Sequence, residues 1–132
     1  MGIKYLWDTN IAIYFLQNQF PPHAADFIDG TLTESLPAIS AITEIELLCW
    51  DSPSEADEVT LRNFVADAWI FELENEIKLR TAEIRKGSKI KLPDAIIAAT
   101  ALIQNLTLLT RNMSDFKNIA GLQVIDPFKI EK

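Results

Sequence analysis

The sequence predicts an α/β domain, a mostly parallel sheet with helices packed on both faces. Two observations carry the prediction. Short apolar runs of strand length alternate with longer stretches of helical period, the pattern that parallel sheets impose. The 132 residues are 48% apolar, enough for one compact domain with a substantial core. A third observation bears on function: Asp8, Glu46, Asp94 and Asp115 each follow an apolar run and stand close to an expected strand end or helix start.

The elements follow in order. Lys4 to Trp7 reads as a short buried strand, followed by a helix over Ile11 to Gln17. That helix is apolar at nearly every position to Leu16, so it is either central in the core or covered by a second chain. Pro21-Pro22 breaks it, and a second helix is expected to end near Gly30. Leu36 to Ile39 reads as a strand, with Ser40 opening a helix to about Trp50. Ser52-Pro53-Ser54-Glu55 has a capping pattern with proline at the first helical position, which places a helix from there to about Ala68. A strand over Trp69 to Leu73 and a helix over Glu74 to Lys86 come next, with Gly87 as the stop. Pro93 starts a helix over Asp94 to Gln104 that is rich in alanine and isoleucine. Thr107 to Leu109 and Leu122 to Ile125 are the last strands. No internal repeat or Pro/Gly-rich linker divides the chain, so residues 1–132 read as a single domain.

Composition narrows the function. A net charge of −7 argues against broad, sequence-blind binding of nucleic acid, but carboxylates that hold a metal contribute to the same sum. No apolar run reaches the roughly 20 residues of a membrane helix. Met1-Gly2-Ile3-Lys4-Tyr5 lacks the basic and apolar segments of a secretory signal, and Cys49 has no cysteine to pair with. A cytoplasmic setting is therefore expected.

The residue inventory excludes several chemistries. His23 is the single histidine, so neither a histidine pair nor a zinc site of cysteine and histidine is available. Glycines 2, 30, 87 and 121 form neither a dinucleotide fingerprint nor a phosphate loop, and there is no G-x-S-x-G elbow. Carboxylate chemistry remains.

In a parallel sheet the carboxyl ends of the strands share one edge, where acids distant in sequence can meet. Two carboxylates about 5 Å apart repel by roughly 3 kcal/mol at an effective dielectric near 20. A cluster of them calls for a hard cation with oxygen ligands, or for protonation of some members. Each acid also has a structural reading. Asp8 fits a helix N-cap, Thr43 and Glu46 fit a capping box, Asp94 suits a helix dipole, and Asp115 fits an ordinary loop.

An ordered set of motifs adds to this reading. They are Leu6-Trp7-Asp8-Thr9-Asn10, Ser40-Ala41-Ile42-Thr43-Glu44-Ile45-Glu46-Leu47 and Leu92-Pro93-Asp94-Ala95-Ile96-Ile97-Ala98-Ala99-Thr100-Ala101, then Leu109-Thr110-Arg111-Asn112 leading to Asp115-Phe116, and Asp126-Pro127-Phe128. Over nearly its whole length the chain resembles the PIN-domain ribonucleases, and among them the VapC-type toxins of toxin–antitoxin pairs. The resemblance implies a three-layer α/β/α sandwich and an endoribonuclease that cuts RNA with a metal-activated water, leaving a 5′-phosphate. It implies Asp8, Glu46 and Asp94 as ligands of Mg2+ or Mn2+, with Asp115 as the fourth acid. Glu46 rather than Glu44 matches the family's glutamate, and the two differ by about 200° around a helix. Many relatives carry aspartate where this chain has Asn112, which can offer a carbonyl oxygen but no charge. Whether Asp115 or Asn112 completes the pocket, and whether one metal binds or two, stay open.

Thr9, Asn10, Thr110 and Asn112 are candidates for orienting carboxylates or water. Lys89 and Lys91, within Arg85-Lys86-Gly87-Ser88-Lys89-Ile90-Lys91, and Arg111 are candidates for steering the RNA backbone. Against this, Arg85 and Lys86 also suit a helix C-terminus, with the lysines merely solvated. The resemblance further implies a VapB-like antitoxin partner and a homodimer. Two rival readings are a PIN-like binding module without catalysis and a phosphoacceptor signalling domain. The second would want a lysine where Thr110-Arg111-Asn112 stands. Trp7, Trp50 and Trp69 read as core or interface, and Cys49 as a small apolar residue.

Overall fold

A computed structural model describes residues 2–130. Among these residues five strands, β1 (Tyr5–Trp7), β2 (Ala38–Ser40), β3 (Trp69–Phe71), β4 (Thr107–Leu109) and β5 (Val124–Ile125), alternate with seven helices. The helices are α1 (Thr9–Leu16), α2 (Pro22–Glu34), α3 (Ala41–Leu48), α4 (Glu55–Asp67), α5 (Asn75–Gly87), α6 (Leu92–Gln104) and α7 (Met113–Phe116). A 3-10 turn over Pro127–Lys129 follows β5.

Every ladder is parallel. β4 pairs with β1, Trp7 opposite Leu109, and with β5, Leu108 opposite Val124, while β2 pairs with β3, Ser40 opposite Phe71. β2 runs beside β1 with no ladder between them, so a three-stranded and a two-stranded sheet lie side by side in the order β3-β2-β1-β4-β5. Side chains of a strand alternate between faces, and here both faces are apolar. Trp7, Ile39 and Leu109 point into one core with Ile11, Leu47 and Phe64, whereas Leu6, Ala38 and Leu108 point into another with Ile97, Ala101 and Phe116. Two cores on opposite faces of this strand layer make the expected three-layer sandwich.

The apolar α1 is covered by its own chain. Ile11 and Ala12 are fully buried, Phe15 packs edge-on against Trp7 at 5.4 Å, and Tyr14 lies 5.0 Å from Phe128. One face of the helix is thus in the core, while Ile13, Tyr14, Phe15 and Leu16 stay half-buried. Exposed large apolar side chains stand elsewhere, among them Ile45 and Leu48 on α3, Leu73 and Leu92 near α5 and α6, and Trp69 on β3.

Several boundaries differ from expectation. α2 runs through Gly30 to Glu34, where Leu32 packs against the core and offsets the roughly 1 kcal/mol that an interior glycine costs. The N-cap of α4 is Ser54, whose hydroxyl accepts from the Asp57 N–H, while Ser52 bonds Glu58 instead. Thr43 and Glu46 form no capping box. Ser40 is the N-cap of α3 and accepts the Thr43 N–H at 3.2 Å. β2 is shifted toward Ser40, β3 stops at Phe71, and the short α7 carries Asp115. Asn105, in the left-handed region at φ 57°, ends α6 and turns the chain into β4.

Candidate active site

The carboxyl ends of β1, β2 and β4 open onto one edge, and the acids gather there. Asp8 follows the last residue of β1 and is the N-cap of α1, accepting the Thr9 N–H at 2.7 Å. Its other oxygen accepts from Thr110 Oγ1 at 2.7 Å and from Asn10 Nδ2 at 3.2 Å. Capping and site roles thus coincide in one side chain. Asn10 also accepts the Arg111 N–H at 3.4 Å, and Thr110 Oγ1 accepts the Asn112 N–H at 3.0 Å. These bonds tie the exits of β1 and β4 into one unit.

Glu46 lies on α3, which starts at the end of β2, and its Oε1 accepts from Thr9 Oγ1 at 2.6 Å. Asp94 stands in the first turn of α6 and Asp115 in the short α7. Electrostatics link them. Burial raises the Asp8 carboxyl above the ordinary aspartate value, against the hydrogen bonds from Thr110 and Thr9, and the charges of Glu46 and Asp115 raise it further. Burial also pushes Asp94 up to about 6, aided by the charges of Asp8, Asp115 and Glu46 and opposed by Lys91. Asp94 therefore senses all three other acids. Each acid comes from a different helix or helix start, so folding alone brings them together.

Asn112 is exposed and precedes α7, and its side chain makes no capping hydrogen bond. Lys89 and Lys91 are exposed in the loop before α6, where Arg85 Nη1 holds the Ile90 carbonyl at 3.2 Å. Arg111 turns to the C-terminal turn. Its guanidinium lies 3.8 Å from the centre of the Phe128 ring, and its Nε lies 3.9 Å from Asp126 Oδ1. Asp126 is buried, caps the 3-10 turn through the Phe128 N–H, and leaves Oδ2 without a hydrogen bond. Ser40 and Thr43, fully buried hydroxyls beside Thr9 and Glu46, were not among the expected site residues. The serine three positions before the threonine was the available signal.

An all-oxygen donor set in which burial and neighbouring charge raise the carboxyls of Asp8 and Asp94 matches a hard divalent cation in charge and in ligand type. Among the described residues no three acid, histidine or cysteine side chains stand in the arrangement of a formed metal site. Uncompensated carboxylates repel, and Asp8 and Glu46 are drawn instead to hydroxyl and amide donors.

Comparison with known proteins identifies relatives of this fold. The family model of the PIN domain matches residues 5–122. The chain is 31% identical over 126 residues to ribonuclease VapC2 of Rickettsia felis, covering 89% of this chain and 93% of that one. It is 28% identical over 132 residues to the tRNA(fMet)-specific endonuclease VapC of Salmonella typhimurium, covering 94% and 98%. A solved structure of DNA-bound VapBC from Salmonella typhimurium superposes with a TM-score of 0.78 at 28% identity, covering 96% of this chain and 99% of that one.

Proposed function

The chain belongs to the PIN domain family, and within it to the VapC type, and on that premise we propose that it is a metal-dependent endoribonuclease acting as the toxin of a toxin–antitoxin pair. The observation that carries the reading is the joining of Asp8 and Glu46 through Thr9, which bonds both, beside an Asp94 on which the charges of Asp8, Asp115 and Glu46 act. When bound there, Mg2+ or Mn2+ would lower the pKa of an attacking water, polarise the phosphoryl oxygen and offset charge on the leaving oxygen. Asp8, Glu46, Asp94 and Asp115 would hold that ion.

The remaining parts belong to the chain itself. Three donors fix the Asp8 carboxylate in one orientation, and the Thr9 hydroxyl fixes Oε1 of Glu46. Thr9, Asn10 and Thr110 are thereby positioning residues. Lys89 and Lys91 supply exposed positive charge beside Asp94 for the RNA backbone, while Arg111 is partly engaged by Phe128 and Asp126. Ile45 and Leu48, each 55% exposed, share a face of α3 about 100° and 200° round the helix from Glu46. A VapB-like antitoxin would cover that face, in keeping with relatives solved as VapBC complexes. A homodimer and a cytoplasmic location belong to the same proposal. No helix among the described residues is long and apolar enough to cross a membrane.

The test is cleavage of RNA by the purified protein in Mg2+. Fragments with 5′-phosphate ends, abolished by a chelator, support the reading. Intact RNA in the presence of Mg2+ would favour a PIN-like module that binds without cutting, to which Asn112 lends its one specific argument by supplying no charge.

A further inference from the structure

A file of hydroxyls leads from the end of β2 to Glu46. Ser40 Oγ lies 3.2 Å from Thr43 Oγ1, which lies 3.0 Å from Thr9 Oγ1, which lies 2.6 Å from Glu46 Oε1. Ser40 and Thr43 are fully buried, so water does not complete their bonds. Each hydroxyl has one proton to give, and a carboxylate has none. The shortest contact, to the carboxylate, takes the proton of Thr9. The contact between the threonines is then closed by the proton of Thr43, and Thr43 accepts from Ser40. Ser40 in turn accepts the Thr43 N–H, which anchors the file in the backbone at the N-cap of α3.

We propose that Thr43 and Ser40 are positioning residues for Glu46: the chain of hydroxyls, oriented in one direction, pins Oε1 and leaves Oε2 to face a cation. Oε2 has no hydrogen bond among the described residues. Glutamate has three side-chain torsions to fix, and the neighbouring acids repel it from the pocket. A hydroxyl anchored in two strand ends opposes both. The cation part of this inference rests on the function proposed above; the ordering of Glu46 does not.

Thr43→Val keeps the volume of the side chain and breaks the file, while Thr43→Ser keeps the hydroxyl. In the metal-free protein, side-chain couplings measured by nuclear magnetic resonance should show Glu46 in one rotamer in the wild type and in Thr43→Ser, and averaged in Thr43→Val. Mn2+ affinity by calorimetry should fall about tenfold in Thr43→Val and be recovered in Thr43→Ser. Thr9→Val cuts the same file at its last link, so the double variant with Thr43→Val should be no weaker than Thr9→Val alone. A single Glu46 rotamer in Thr43→Val overturns the inference. So does unchanged affinity of that variant in a protein that binds Mn2+. If the wild type binds no Mn2+ while Glu46 loses its order as described, the metal reading fails and the positioning role stands.

Discussion

Thr110 donates a 2.7 Å hydrogen bond to Asp8 across 102 positions of sequence, joining the exit of β4 to the exit of β1. Both side chains are buried, so neither can exchange this bond for one to water. The bond exists because the two strands pair in parallel, with Trp7 opposite Leu109.

Thr110→Val should therefore destabilise the fold by about 2 kcal/mol, the usual cost of removing a donor from a buried charged acceptor. Thr110→Ser should cost less than half of that. Urea unfolding at neutral pH measures both, and a Thr110→Val variant as stable as the wild type would deny the bond its role.

Asp94 makes the metal-free protein sensitive to pH in an unusual direction. Burial and the neighbouring acids push its carboxyl up to about 6 in the folded protein, from the ordinary aspartate value in the unfolded chain. The folded state thus binds more protons between those values, and stability falls as pH rises through 6. A shift of that size corresponds to about 3 kcal/mol in full burial, reduced to about 1 kcal/mol for a group half in water. Asp94→Asn should remove this loss and leave the metal-free variant more stable than the wild type at pH 7.5 by about that amount. Denaturation curves between pH 4 and 8 are the check. Cation affinity, by the same proton competition, should rise with pH through 6.

Arg111 and Asp126 should behave as a coupled pair. Among the described residues Arg111 is the cation facing the buried Asp126, whose Oδ2 has no hydrogen bond. Arg111→Ala leaves that carboxylate without its charge partner and should cost about 2–3 kcal/mol. Adding Asp126→Asn keeps the oxygen that accepts the Phe128 N–H and should recover most of the loss. Additive costs in the double variant would show that the two do not interact.

Neutralising Lys89 and Lys91 to glutamine should weaken RNA binding and flatten its dependence on salt by about two counterions. Stability should change by less than about 0.5 kcal/mol, since both side chains are exposed. Filter binding over a range of salt concentrations distinguishes steering from plain solvation, for which the slope would not move.

The sandwich was legible because its strands are short apolar runs and its helices carry their own punctuation. Pro93, the alanines of α6 and the run before Asp8 each act locally, so the sequence displays them. Choices among similar local signals were less legible. Ser52 and Ser54 are both plausible caps, and the cap falls to Ser54, which directly precedes α4; a capping box at Thr43 fails because Thr43 lies inside α3, which Ser40 opens. Gly30 would end an isolated helix, but the buried face of α2 carries it past. Asp8, Glu46, Asp94 and Asp115 could each be named from sequence, yet their meeting depends on the parallel pairing of β1 with β4, a contact that no window of the sequence contains. The hydroxyl file was missed for the same reason, since Thr9 and Thr43 belong to different helices.

The central claim is that these four acids share one cation, and Mn2+ titration followed by electron paramagnetic resonance at pH 7.5 tests it most directly. The expected result is saturable binding by the wild type that weakens on the order of tenfold or more in each of Asp8→Asn, Glu46→Gln and Asp94→Asn. Binding left intact by all three substitutions, or no binding by the folded wild type, would contradict it.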